Sequence, residues 1–167
     1  MEKSEQSSRF RDWHREHRGI ILRIARANAA SLPDQEDLIQ EISIQLWNSI
    51  PNFRGNCKAS TWVYRVALNT AITWRRKEKS QREKRQGLAK NPHFLKETTE
   101  PRNEKLEWLY EQIRHFDPID RSLVLLHLDG QSYLEIADIL GISEKNVGVK
   151  LSRLRQTLTQ KANDDEL

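Results

Sequence analysis

The chain sorts its apolar residues into two blocks with helical spacing, parted by a stretch from about Glu78 to Asn103 where that spacing is lost. Apolar residues recurring every three or four positions bury one side of a helix and do not alternate across a strand. The pattern therefore predicts an all-α protein. An N-terminal helical bundle, residues 8–86, is followed by a flexible linker, 87–103, and a C-terminal helix-turn-helix domain, 104–161. With 37% hydrophobic residues in 167, neither unit can bury a large core.

In the first block, Phe10, Trp13, His17, Ile20, Ile21, Ile24 and Asn28 predict one helix from about Ser8 to Ala30. Pro33 is expected to end that segment and Asp34 to cap a second helix, with Glu36 and Asp37 in its first turn, where the helix dipole favours negative charge. This helix buries Leu38, Ile42, Leu46 and Ile50 and stops at Pro51. Asn52 to Ala59 reads as a loop. Ser60 is placed to cap a third helix with a stripe of Trp62, Val63, Val66, Ala67, Thr70 and Trp74, extended by the basic run Arg75 to Arg85. Trp13, Trp62 and Trp108 read as packing residues.

The second block opens with Leu106, Leu109, Tyr110 and Ile113. Asp117-Pro118-Ile119-Asp120 combines a cap, a first-turn proline and an acid three residues after the cap, which marks a helix start. That helix carries Ile119, Leu123, Val124 and Leu126 to a stop at Asp129-Gly130. Tyr133 to Val147 has helix-turn-helix spacing. Ala137 is small where two helices touch, Gly141 supplies a positive φ, and Ser143 caps a second helix that buries Val147, Leu151, Leu154 and Leu158. Its outer face offers Lys145, Asn146, Lys150, Arg153 and Gln156 to a nucleic-acid groove. A helical hairpin with a solvated basic face is the alternative.

Charge supports a polyanionic partner. The net charge of +4 divides into +8 over residues 1–90 and −4 over residues 91–167. Within the acidic half, Glu144 to Lys161 holds five cations and one acid. Other classes are disfavoured. A single cysteine, Cys57, allows no intrachain disulfide or cysteine-rich zinc site, and His14 and His17 lack further ligands on their face, so no metal is expected. No Gly-rich loop sits between β-branched runs, and no nucleophile–base constellation stands out, so neither cofactor nor enzymatic activity is expected. No apolar run reaches the roughly 20 residues of a membrane span, and the first eight residues lack a signal's apolar stretch. The expectation is a cytoplasmic protein without membrane insertion.

The motifs taken in order resemble the extracytoplasmic-function (ECF) subgroup of the sigma-70 family of bacterial RNA polymerase sigma factors. Asp34 to Glu41 (DQEDLIQE) with Leu46-Trp47 is similar to the family's region 2.2. Phe53-Arg54-Gly55, Ser60 to Asn69 (STWVYRVALN) and Arg75-Arg76 are similar to regions 2.3 and 2.4. Arg102 to Leu128 and the helix-turn-helix take the places of regions 4.1 and 4.2. No segment resembles region 1.1 or a region 3 domain.

This resemblance implies a sigma factor that binds core polymerase, recognises minus-35 and minus-10 promoter elements and melts the promoter. Asp37, Gln40, Glu41 and Trp47 would dock on core polymerase. Arg54, Asn56, Lys58, Tyr64, Arg65, Asn69, Arg75 and Arg76 would contact minus-10 DNA, with the 54–58 loop capturing a flipped base. Ser143, Lys145, Asn146, Lys150 and Arg153 would contact the minus-35 element. The implied partners are core RNA polymerase through its β′ clamp helices and β flap, promoter DNA, and an anti-sigma factor. Asn146-Val147-Gly148 departs from the Thr and basic residue that many members carry around this valine, so their upstream preference does not transfer. Gly148 costs about 1 kcal/mol relative to Ala in a helix and would permit close backbone approach to DNA. A conventional helix-turn-helix regulator is the competing reading.

Overall fold

The computed structural model describes residues 3–85 and 103–165. The chain divides into two compact units, Met1–Glu100 and Pro101–Leu167. Eight α-helices lie in the described residues. The expected linker, 87–103, falls outside them apart from Asn103.

The first unit contains α1 (Lys3–Glu16), α2 (Arg18–Asn28), α3 (Leu32–Ser49), a 3-10 turn (Ile50–Asn52) and α4 (Ala59–Arg85). The single helix expected from Ser8 to Ala30 is therefore two. His17 breaks it at φ −106°, ψ 17°, and its carbonyl accepts from Ile20 N at 3.0 Å as α2 begins. The break frees α1 to lie against α3, where the Phe10 and Trp47 rings meet edge to face at 5.5 Å.

The start of α3 also differs. Ser31, not Asp34, is the cap, accepting from Asp34 N at 3.3 Å, and Pro33 lies inside the first turn. Proline is tolerated there because its missing N–H would have had no intrahelical partner. Ser60 likewise lies within α4, whose helix begins at Ala59.

Ile21, Ile24, Leu38, Ile42, Leu46, Ile50 and Val63 form the centre of this unit, each almost fully buried. The buried stripe of α4 runs through Val63, Tyr64, Ala67, Leu68 and Ala71. It is rotated from the expected one, so Trp62, Val66 and Trp74 end half-buried. The loop before α4 is held by aromatic contacts. Phe53 lies 4.8 Å from Trp13 and 5.5 Å from Trp62, both edge to face. The Trp62 indole N–H donates to Ser49 Oγ at 3.0 Å.

The second unit consists of α5 (Glu104–His115), α6 (Pro118–Leu128), α7 (Tyr133–Leu140) and α8 (Glu144–Asp164). As expected, the Asp117 carboxylate accepts from Ile119 N and Asp120 N, both at 2.9 Å, and Pro118 opens the helix. Ser132 and Glu135 form a capping box at α7, Gly141 takes φ 68°, and Ser143 accepts from Asn146 N at 3.2 Å. The α5–α6 corner holds a residue that periodicity did not single out. Arg121, only 3% exposed, donates to the carbonyls of Ile113, Arg114 and Phe116 at 3.3, 3.3 and 2.7 Å. It thereby satisfies the carbonyls that end α5.

Arg121→Met should lower the stability of the C-terminal unit by about 1–3 kcal/mol, because buried carbonyls lose their donors while the stem volume is retained. Arg121→Lys should recover little, since one ammonium cannot serve three carbonyls in this fork geometry. Urea unfolding of the full chain followed by circular dichroism checks this; an unchanged transition in both variants contradicts it.

Candidate polymerase and nucleic-acid interfaces

Three surfaces collect the residues expected to carry function. On α3, Asp37 and Gln40 are exposed, and Glu41 is half-buried and accepts from Gln45 Nε2 at 2.9 Å. These residues share the face opposite Leu38, Ile42 and Leu46. Ile44 lies on it too, 53% exposed, and sequence reasoning missed it. An apolar residue seven positions after Asp37 was the available signal. Trp47 is half-buried, covered on one edge by Phe10, while Gln6 Nε2 donates to its backbone carbonyl at 2.9 Å. α1 therefore shapes what this surface presents.

The second surface joins the 54–58 loop to α4. Arg54, Asn56 and Lys58 are exposed, Cys57 is half-buried, and Gly55 takes φ 77°. Phe53, wedged between Trp13 and Trp62, anchors the loop's first residue, which lets the following polar residues stand out from a fixed base. Along α4, Arg65, Asn69, Ile72, Thr73 and Arg76 follow helical spacing on one face. Asn69 and Arg76 are exposed and Arg65 is half-buried.

Arg75 lies on the flank, half-buried. Tyr64 does not join them. It is 3% exposed and belongs to the core stripe, because one position before Arg65 turns a side chain about 100° around the helix. The expectation that Tyr64 contacts minus-10 DNA is corrected accordingly.

The third surface is the outer side of α8. Lys145, Asn146 and Arg153 are exposed, and Ser143 caps the helix. Lys150 is engaged differently from expectation. Its ammonium donates to Asp120 Oδ1 on α6 at 2.7 Å. That hydrogen bond, with the Asp120 and Asp117 charges behind it, raises the Lys150 pKa above its ordinary value, against the opposing effects of desolvation and of Arg153.

A raised lysine pKa means that the pair's contribution is present below the ordinary lysine pKa and is lost as pH rises through the higher folded value. The pair is therefore intact at neutral pH. Because the Lys150 side chain is 40% exposed, water screens it and its contribution is modest. Among the described residues, no group of three or more His, Cys, Asp and Glu could hold a metal ion. No described helix is long and apolar enough to cross a membrane.

The described residues thus present an exposed acidic helix, a basic helix beside an anchored loop, and a capped helix-turn-helix. Residues 13–81 match the model of sigma-70 region 2 and residues 106–158 that of sigma-70 region 4. RNA polymerase sigma factor YlaC of Bacillus subtilis (strain 168) is 30% identical over 152 residues, covering 88% of each chain. The ECF RNA polymerase sigma-E factor of Escherichia coli (strain K12) is 31% identical over 140 residues, covering 77% of this chain and 73% of that protein.

Two solved structures share the fold. CnrH, in complex with the cytosolic domain of CnrY, superposes with a TM-score of 0.68 at 20% identity, covering 93% of this chain and 88% of that one. RpoE, in complex with the anti-sigma factor NepR from Bartonella quintana, gives 0.69 at 19%, covering 89% and 95%. The chain belongs to the ECF subgroup of the sigma-70 family. Its function is that of a sigma factor, a non-enzymatic subunit that binds core RNA polymerase and promoter DNA.

The Lys150–Asp120 pair makes a specific expectation for DNA binding. Asp120→Asn should release the Lys150 ammonium toward phosphate and steepen the slope of log K against log salt by up to about 0.9, the value for one added phosphate contact. A salt titration of the polymerase-bound protein on promoter DNA measures it. An unchanged slope would mean that the released cation does not reach the DNA.

Proposed function

We propose a division of the sigma-factor task among the three surfaces. The α3 face, Asp37, Gln40 and Glu41 with Ile44 and the exposed part of Trp47, docks on the β′ clamp helices of core polymerase, while the C-terminal unit meets the β flap. The anchored loop, Arg54, Asn56 and Lys58, captures a base flipped from the minus-10 element. Opening needs no catalytic residue. It requires a pocket for the extruded base, whose unstacking costs a few kcal/mol, and a cationic track for the exposed strand. Arg65, Asn69, Arg75 and Arg76 supply that track. α8 enters the major groove of the minus-35 element, where its first residues, Lys145 and Asn146, address base edges and Arg153 a phosphate.

The observation that carries this reading is the segregation of charge. The acidic residues of α3 and the cations of α4 belong to separate helices of one bundle, so one bundle can face a protein and a polyanion at once. A conventional helix-turn-helix regulator leaves residues 13–81, with their region 2 match, unexplained. Localisation follows from the task, in the cytoplasm with the polymerase. Two proteins sharing the fold were solved with CnrY and with the anti-sigma factor NepR, which supports an anti-sigma protein as a further partner of this chain.

Charge reversal at Asp37 and Glu41 together should abolish comigration with core polymerase on gel filtration while leaving the fold intact, since neither side chain belongs to the buried core. Normal core affinity in that variant would remove α3 from the docking surface. Replacing Arg54, Asn56 and Lys58 with Ala should impair transcription from duplex promoters and blur the preferred minus-10 base. A pre-melted template should restore part of the rate but not the preference. An intact preference would put base capture elsewhere.

A further inference from the structure

The side of α8 opposite Val147, Leu151 and Leu154 presents Lys145, Val149, Ser152 and Gln156, spaced four, three and four apart and all exposed. Lys145, Ser152 and Gln156 are residues that a groove-facing helix needs. Val149 is not explained that way. It is a β-branched apolar side chain 43% exposed, and an exposed valine contributes less to a helix than alanine would. Neither the core nor helix propensity accounts for it.

Its surroundings point to DNA as the occupant. Lys145 and Asn146 lie one turn before it and Ser152 and Arg153 one turn after, so a methyl-bearing spot is framed by hydrogen-bonding and cationic groups. The middle of this surface is short. Gly148, Val149 and Ser152 project little, while Lys145, Arg153 and Gln156 reach further. A Cβ at position 148 would lie 3.5 Å from Tyr133 Cε2, an ordinary contact, so packing inside the domain does not require glycine there. A short centre with longer side chains on either side lets the helix axis approach the base edges, with Lys145 reaching a base edge at one end and Arg153 a phosphate at the other.

We infer that Val149 reads a thymine of the upstream promoter element, its γ-methyl groups packing on the C5-methyl that a T·A pair projects into the major groove. This rests on the assignment of α8 as the reading helix. Cytosine offers no such methyl and presents an N4 amino donor that valine cannot satisfy. Purines present an N7 acceptor that valine would desolvate without replacing its hydrogen bond. Val149 thus favours thymine by apolar contact with the one methyl group that the major groove offers.

The test uses the full chain bound to core RNA polymerase and a duplex that this complex selects from a randomised pool. Each upstream thymine is replaced singly by deoxyuridine, which deletes the methyl group and leaves base pairing unchanged. At one or two adjacent positions deoxyuridine should weaken binding about three- to fivefold, the loss expected for one buried methyl. The Val149→Ala complex should bind the thymine and deoxyuridine duplexes alike there, and Val149→Thr, which keeps one γ-methyl, should discriminate to an intermediate degree.

Absence of any sensitive thymine with the unmodified protein overturns the inference, as does undiminished sensitivity in Val149→Ala. Lys145→Ala and Asn146→Ala separate this from the broader assignment. If either weakens binding while deoxyuridine has no effect, only the thymine contact fails. If neither they nor Val149→Ala changes affinity, α8 is not the reading helix.

Discussion

Each helix end exposes backbone groups that have no partner within the helix, and a chain built from helices of 8 to 27 residues has many such ends. In the C-terminal unit the partners are explicit. Asn103, Asp117, Ser132 and Ser143 each accept from N–H groups of the following turn, and Arg121 closes the carbonyl end of α5 from within the core. α7, at eight residues, is shorter than an isolated helix can be in water. Its capping box, left-handed Gly141 and packed Ile136, Ala137 and Ile139 make it a fixed element. The placement of α8 follows, because Ser143 starts it two residues after that glycine.

The N-terminal unit solves a different problem, which is how to hold a polar loop still without burying it. Phe53 provides the answer by lying between Trp13 of α1 and Trp62 of α4. Edge-to-face pairs of this kind contribute about 0.5–1.5 kcal/mol each beyond area burial. The loop's polar residues are then exposed next to a fixed aromatic anchor. The same α1 that carries Trp13 also brings Phe10 onto Trp47, so one helix supports both the α3 face and the loop.

Charge placement separates residues that hold the fold together from those left to bind. Arg121 is committed to backbone carbonyls, and Lys150 is tied to Asp120. Arg114 holds Glu111 by hydrogen bonds and draws its carboxyl below the ordinary carboxylate range. Lys145 and Arg153 stand exposed on α8. Cations that look alike in a sequence therefore differ in their surroundings, and Lys150, held by Asp120, is set apart from Lys145 and Arg153 in this way.

Helix class, the two-block organisation and the caps at Asp117 and Ser143 were legible in the sequence, because spacing, proline, glycine and short polar side chains act within a few residues of themselves. The helices that carry the three surfaces were legible too, since an acidic run, a basic run and a helix-turn-helix each declare their chemistry locally, but their membership was not: Ile44 is exposed and Tyr64 is buried. The break at His17, the rotation of the α4 stripe that buries Tyr64, and the pairing of Lys150 with a carboxylate thirty residues away were decided by tertiary structure. Periodicity states that a helix has a buried side, but neighbouring apolar and amphipathic residues compete for it. Trp62 and Tyr64 are both suited to burial, and only the positions of α2 and α3 determine which of them faces inward.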